Sequence, residues 1–558
     1  MNKLYIKKGI IILGAILLQS INLFGQDIRE RIYLQTDKQL YLAGELLWMK
    51  LLLTDAEGKP MDFSKVGYVE LLDETSSQVQ IKIDINDGTG EGWMELPPTL
   101  PTGFYRLVAY TRHMRNEGEE VYFQRMLSII NTFKNDAPLQ IDTLLYSRTP
   151  SVSENTISVT TENQTYTPRS QSQIRIQGLP DNIHSLCVSV AGKDFILSEN
   201  AININQWTTS LARQPQIPLR NIYTPEYEGH IINGKLIDIN SPDIVPEFKV
   251  SSFLGFVGDQ IRIYKGQIND NGEVSFYTNR NSGTHEIVTS TGQLANRKFR
   301  VDIQSPFETH SEKKLPEFKM NPKWKEQLLQ RSIGLQVQYS FIPDSLMRME
   351  KSFSHFQWTL DKSYLLDEYT RFATMEEVFI EFIQGITIRR NNNKRSFAAL
   401  TDNNSGYSRL RSLLVLDGIP IVEHDFIFSY DPLLLKKIDI YRGKYAFGED
   451  IFDGVIALYS YNNDYLGLRL DETTQFFDYE GTQAHRLFYT PPLAEAENRR
   501  IPDFRHTLLW MPGVETDGNA SLLIPFSTSD LTGEFQVTVE GVTKDGKGIR
   551  GVSYFDVK

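Results

Sequence analysis

Apolar and polar side chains alternate in short runs along most of the chain, with Gly, Pro, Asn and Asp between them, and this pattern predicts strands far more often than helices. The run from Arg31 to Glu45, RIYLQTDKQLYLAGE, predicts a strand and a bend at Gly44, after which Leu46, Trp48, Lys50 and Leu52 carry the pattern on. Further strands are predicted at Tyr68 to Leu72, Val79 to Ile85, Gly92 to Leu96, Phe104 to Tyr110 and Val121 to Ile129, a spacing that reads as a β-sandwich. A weaker repetition runs from Ile157 through Tyr166-Thr167-Pro168-Arg169 to Val190. A third set alternates at Gly229 to Leu236, Phe248 to Val250, Ile261 to Tyr264 and Asn271 to Phe276, where Asn271-Gly272 signals a hairpin. The last set opens at Phe504 to Trp510, continues at Ser521 to Phe526 and Gly533 to Val539, and closes at Val552 to Val557.

Helical spacing is rarer. Short candidates lie around Trp324 to Leu328 and Asp344 to Met349. The clearest starts at Thr374, where Thr374 and Glu377 form a capping box; Met375, Val378, Phe379, Phe382 and Ile383 then share one face, and Gly385 ends it. Glu376, Glu377 and Glu381 are read as the solvated side of this helix. From Leu413 the predicted order is a buried strand, a tight turn at Asp417-Gly418, a leucine-rich segment opened by Asp431-Pro432, a strand through Ile438 and Ile440, a glycine-punctuated loop and a strand from Val455 to Tyr459.

Three of these stretches resemble known families. Val415-Leu416-Asp417-Gly418-Ile419-Pro420, then Ile438 to Gly443 with Tyr445 and Gly448, then Gly454-Val455-Ile456 resemble the plug domain of TonB-dependent outer-membrane transporters in its Bacteroidota form. Ile386-Thr387-Ile388-Arg389 is similar to the first strand of that plug. A transporter barrel of roughly 22 strands needs well over 200 residues, and fewer than about 100 follow Ser460, so the resemblance implies a plug without its own barrel. The motif Thr36-Asp37-Lys38 with Tyr41 and Gly44, followed by Pro101-Thr102-Gly103-Phe104-Tyr105, is similar to a domain near the N-terminus of alpha-macroglobulins, with Ala43 where that family usually has Pro. The family's thioester site is lacking: Cys187 is followed by Val188-Ser189-Val190, so the likeness implies the shape without the covalent chemistry. Asp270 to Phe276 with Gly283 to Val288 resembles the carboxypeptidase-regulatory or transthyretin-like domain.

Composition narrows the function classes. A length of 558 residues predicts about three to five domains, and 40% hydrophobic with 23% charged residues is ordinary globular composition. A formal charge of −12 argues against nucleic-acid binding, and Arg389-Arg390 and Lys394-Arg395 read as a solvated hairpin or loop. Lys3, Lys7 and Lys8 followed by the apolar run Gly9 to Leu18 predict a secretory signal cleaved near Leu23-Phe24-Gly25, with no transmembrane segment in the mature chain. The single cysteine, Cys187, is read as a small buried hydrophobe. The nine histidines are scattered; His113, His424 and His506 are each read as surface or core-edge residues. Asp84 to Gly88 reads as a hairpin turn, since Gly88 interrupts the ligand series of a calcium loop.

The expected architecture is mainly β and multidomain. It comprises a signal peptide (1–25), a macroglobulin-like β-sandwich (27–138), a second such sandwich (150–219), a transthyretin-like domain (226–305), a partly helical connector (306–363), a small α+β plug-like domain (364–462), a connector (463–503) and a C-terminal β-sandwich (504–558). No catalytic group, metal site, cofactor or small-molecule substrate is evident. The expected function is that of a non-enzymatic exported scaffold or adaptor in the periplasm, binding envelope or outer-membrane proteins. Its candidate contact is formed by Asp417, Gly418, Ile419, Pro420, Tyr441, Arg442, Gly443, Tyr445 and Gly448. The alternative is a noncovalent macroglobulin-type protease inhibitor or a chaperone-like binder of exported proteins.

Overall fold

A computed structural model describes residues 28–134, 155–193, 202–214, 217–220, 222–242, 250–292, 297–339, 347–348, 359–391, 394–400, 406–447, 450–490, 502–516, 518 and 520–558. The expected signal peptide and Gly448 lie outside the described residues. The fold is mainly β, in several sheets that pack as sandwiches.

The first unit is one bent sheet in the order Glu30–Thr36, Leu46–Asp55, Thr89–Glu95, Ser77–Asn86, Val66–Leu72, Gly103–Thr111, Phe123–Ile130, Leu40–Leu42. Ser77–Asn86 turns into Thr89–Glu95 through Asp87 and Gly88, both at positive φ, as a two-residue hairpin requires. Leu46–Asp55 is buried along nearly its whole length. One face fills the unit's own core with Leu47, Met49, Leu51 and Leu53, while Trp48 packs outward against Cys187 and Trp510. That second burial explains why its sequence, LLWMKLLLTD, carries apolar residues on both faces.

The expected second and C-terminal sandwiches are a single unit. Gln171–Gln177 pairs with Ser521–Ser527, Ile183–Gly192 lies between Gly533–Thr543 and Thr507–Met511, and the core mixes Ile174, Val188 and Val190 with Val537, Val539 and Phe555. The physical reason is area: neither half alone can cover its apolar faces, a difficulty typical of units near sixty residues. Ala191 pairs with Thr507, and the Gly192 amide donates to the His506 carbonyl at 2.9 Å, so residues 193–505 are inserted where a hairpin turn would stand. Within the segment expected to be all β, Ile204–Leu211 is a helix capped reciprocally by Asn203 and Gln206. Its Trp207 packs on Tyr33 of the first unit.

The inserted part contains two further large sheets and two two-stranded ones. The third unit orders Phe299–Ile303, Ile231–Asp238, Glu273–Tyr277, Ile263–Ile268, Ser252–Phe256, Thr284–Thr291 and Thr474–Glu480. The last strand comes from residues expected to be connector; Phe477 and Tyr479 bring the apolar face that covers this edge. The fourth unit, called plug-like only after its sequence resemblance, orders Leu360–Leu365, Leu435–Phe447, Asp450–Ser460, Leu413–Leu416 and Ile419–Pro420, with Leu413–Leu416 parallel to Asp450–Ser460. It begins at Leu360, a few residues before the expected boundary. Thr374 and Glu377 cap Met375–Glu381 reciprocally. Ile386 to Arg389, read as similar to the first plug strand, lie in Ile386–Asn391, which pairs with Lys394–Ala399 in a two-stranded sheet of its own. Between the third and plug-like units, Lys325–Tyr339 forms a helix longer than expected, and of the candidate at Asp344 to Met349 only Met347–Arg348 is described, as a strand paired with His485–Arg486.

The segment before that helix is strapped to the first unit. His310 places Nε2 2.8 Å from Glu70 Oε1 and Nδ1 3.1 Å from Glu119 Oε1, and Lys313 pairs with Glu119 at 3.0 Å. Burial lowers the His310 pKa, but the hydrogen bond and charge of Glu70, reinforced by Glu119, outweigh it and leave the imidazolium favoured. Because the folded value lies above the ordinary histidine value of 6.5, the stabilisation is complete below that pH and is lost as pH rises through the folded value. His310→Gln is therefore expected to cost about 1.5–3 kcal/mol near pH 6 and progressively less at higher pH, measured by urea unfolding across a pH series. An equal cost at every pH would contradict this.

Candidate functional site

The contact expected from the sequence is placed by the structure mostly inside the molecule. Asp417, Gly418, Ile419 and Pro420 are buried. Asp417 and Gly418 both take positive φ, and the Asp417 carboxylate accepts from the Ser460 and Tyr465 amides at 2.8 and 2.9 Å. Gly418 lies so close to the third unit that a Cβ there would come within 2.0 Å of the Phe256 carbonyl oxygen. The turn is thus a contact between two units of the same chain. Tyr441, Arg442, Gly443 and Tyr445 are half-buried; Arg442 pairs with Asp361 at 2.8 Å, and the Tyr445 hydroxyl donates to the Arg442 carbonyl at 2.8 Å. The two groups do not form one exposed surface.

The residues the structure brings together instead belong to the Thr36-Asp37-Lys38…Tyr41 motif. The bend at Gly44, φ 94°, returns the chain so that Tyr41 is buried beneath Asp37. The Asp37 carboxylate accepts from the Tyr41 hydroxyl at 2.7 Å, the Trp48 amide at 3.1 Å and the Thr507 hydroxyl at 2.6 Å. Lys38 Nζ reaches Asp37 at 3.4 Å and Glu45 at 3.3 Å. Arg331, from the long helix, forks onto both Glu45 oxygens at 2.8 Å and donates to the Leu40 carbonyl. Burial alone would raise the Glu45 pKa; Arg331 and Lys38 outweigh it and bring it to about 2.

Around this network the first unit, the long helix and the returning segment border a partly open cavity of about 90 Å³ lined by Leu46, Trp48, Leu335, Arg486, Phe488 and His506, among others. Gln483 clamps the returning segment to the first unit through two bonds to the Trp93 backbone, 2.9 and 2.6 Å long, and the Trp93 indole donates to the Ala484 carbonyl. His506 is kept neutral, its pKa pushed well below the ordinary value by burial and by the positive charges of Arg331 and Lys38. Cys187, behind Trp48 and Trp510, is buried, and burial pushes its thiol pKa well up. His113 and His424 have structural partners: His113 bridges the Tyr223 and Ile28 carbonyls, and the Phe397 amide donates to His424 Nδ1 at 3.0 Å. Among the described residues no group of three or more His, Cys, Asp or Glu is placed to hold a metal ion, and no helix is long and apolar enough to cross a membrane.

Sequence reasoning found the motif but assigned it a local role. The missing signal was Thr507, which nothing in the primary sequence ties to Asp37. Arg331 and Arg486 were equally illegible, since each acts through a contact made only in the folded chain.

No protein-family model matches the chain, and no curated protein matches it. Among solved structures, the chain is similar to a Salmonella alpha-2-macroglobulin reacted with methylamine (10% identity, TM-score 0.24, covering 95% of this chain and 39% of that one). The native Escherichia coli alpha-2-macroglobulin gives 10% identity and a TM-score of 0.24, covering 95% of this chain and 40% of that one. The Escherichia coli adhesin FdeC gives 10% and 0.14, covering 48% and 60%. The chain spans about two fifths of the length of the macroglobulins it matches.

Removing the Asp37 carboxylate leaves three donors facing one another in a buried site. Asp37→Ala is expected to destabilise the chain by about 3–5 kcal/mol, and Thr507→Val by about 1 kcal/mol, with the double variant no worse than Asp37→Ala alone. Urea unfolding of the four proteins checks this; strictly additive losses would show that Thr507 and Asp37 act independently.

Proposed function

We propose that this chain is a non-enzymatic exported scaffold that binds other envelope proteins, at the periplasmic side of an outer-membrane transport or assembly complex. The observation that carries the reading is an apolar face on the plug-like unit. The Tyr461 hydroxyl donates to Asp367 at 2.6 Å and Arg371 donates to the Pro432 and Leu435 carbonyls, so three separate segments lie side by side. They present Leu365, Tyr369, Leu433, Tyr461 and Leu466 to solvent; Leu433 and Leu466 are 53% and 62% exposed. A contiguous face of this kind on a folded unit is the usual mark of a protein contact. The sequence resemblance to the plug of outer-membrane transporters supports an envelope partner for that face.

A second reading, a noncovalent protease inhibitor or chaperone-like binder, is favoured by the recurrence of the macroglobulin-type motif in both sandwiches. Thr36 and Thr161 each donate to the carbonyl two residues on, at 2.8 Å in both, and Tyr41 and Tyr166 each accept from the amide three residues before them. The two readings separate in one experiment. Crosslinking and affinity purification from envelopes should recover defined envelope proteins with the native chain, and Leu433→Asp/Leu466→Asp should lower that recovery by about ten-fold with an unchanged melting temperature. Undiminished recovery with the double variant, or no envelope protein at all, would overturn the first reading. Slowed proteolysis of a protein substrate by the intact chain would then favour the second.

A further inference from the structure

The cavity at the junction contains two polar groups that the frame does not use. Arg486 lines it with its guanidinium over the Trp93 ring, 4.9 Å from the centroid, and has no carboxylate or hydrogen-bond acceptor among the described residues. His506 lines the same cavity, and its Nδ1 is buried with no hydrogen-bond partner. The other charged groups on the lining are matched: Arg331 by Glu45, Lys38 by Asp37 and Glu45, and Arg505 by both oxygens of Asp503 at 2.8 Å. Arg486 is therefore surplus positive charge. The Trp93 ring offers the guanidinium no hydrogen-bond acceptor, so its N–H donors remain available, and a guanidinium grips a carboxylate with two parallel bonds. Leu46, Trp48, Leu335, Phe488 and Phe504 supply apolar parts of the wall, and Tyr489 and Thr507 also line it. At about 90 Å³ the space exceeds the roughly 10–15 Å³ that one water needs and admits a small organic group.

We infer that this cavity binds a carboxylate carried on an apolar body, with Arg486 taking the carboxylate, His506 Nδ1 hydrogen-bonding beside it and the aromatic wall covering the apolar part. The same chemistry comes from a small free acid or from the C-terminal residue of a polypeptide. A cationic ligand is disfavoured by Arg486, and a neutral one leaves the guanidinium fork unpaired. The inference goes beyond the scaffold reading and is independent of the apolar face on the plug-like unit.

The test uses the full chain and calorimetric titration with four probes: phenylbutyrate, phenylbutylamine, and a short peptide ending in Leu-Phe with either a free or an amidated C-terminus. Saturable binding of at least one carboxylate is expected, with its amine or amide counterpart weaker by about ten-fold or more. Arg486→Gln should lose binding by a similar factor at an unchanged melting temperature, and Arg486→Lys, which keeps the charge but not the fork, should fall between. Binding of phenylbutyrate alone assigns a small acid, and binding of the free peptide alone assigns a polypeptide terminus. No saturation by either carboxylate up to about 10 mM, equal binding of the amine or amide, or full binding by both Arg486 variants would overturn the inference.

Discussion

One buried carboxylate constrains much of this molecule. Taking Asp37 out of water costs several kcal/mol unless its oxygens are satisfied by hydrogen bonds. Two of its donors, the Tyr41 hydroxyl and the Trp48 amide, become available only when the chain bends at Gly44, and the third, Thr507, arrives from the opposite end of the sequence. The first sandwich therefore completes its most demanding polar site only when the second is in place. Further buried bonds share this dependence: the Tyr33 hydroxyl donates to Glu540 at 2.7 Å, and Ser189 donates to the Asp37 carbonyl at 2.9 Å.

The repeated motif also explains the course of the chain. In the first unit the short strand Leu40–Leu42 runs parallel to Phe123–Ile130, the unit's last strand. In the second, Thr165–Tyr166 runs parallel to the strand Gly548–Val557. Each sandwich thus lays its second strand, a short tyrosine hook, alongside its own final strand. Everything from residue 193 to 505 is an interruption of one sandwich at a hairpin.

Local signals in the sequence were legible wherever a short stretch determines its own geometry. The Thr374 cap, the turns at Asp87-Gly88 and Asp417-Gly418, and the strand periods all depend on neighbours a few residues away. The mainly β class follows from the same local patterns. What the sequence hid was long-range pairing, because the alternation in Phe504 to Trp510 says that a strand exists and not which edge it joins. The same limit misled the reading of the Asp417 to Pro420 stretch. Its turn chemistry is visible, but whether a turn faces solvent or a neighbour depends on Gly255 and Phe256, far away in the chain. The Ile204–Leu211 helix is a different case. Its Asn203 and Gln206 capping pair was readable and was overshadowed by the strand pattern around it.

Insertion at a hairpin has a mechanical consequence for binding. An appended domain hangs from one linker, whereas the third and plug-like units are held by two chain crossings that meet at adjacent strand positions, Gly192 and His506. Side contacts brace them further. Glu226 accepts from the Tyr68 hydroxyl across the boundary with the first unit at 2.9 Å, Arg280 donates to the Ile85 carbonyl at 2.9 Å, and Arg112 donates to the Thr224 carbonyl at 2.8 Å. Gly255 and Gly418 then bring the third and plug-like units into backbone contact, where no side chain could intervene. A partner engaging such a frame meets a pre-set surface, so little of its binding energy is spent on ordering domains. The same bracing holds the return crossing at the cavity, since Gln483, clamped to the Trp93 backbone of the first unit, lies three residues before Arg486 on the cavity wall.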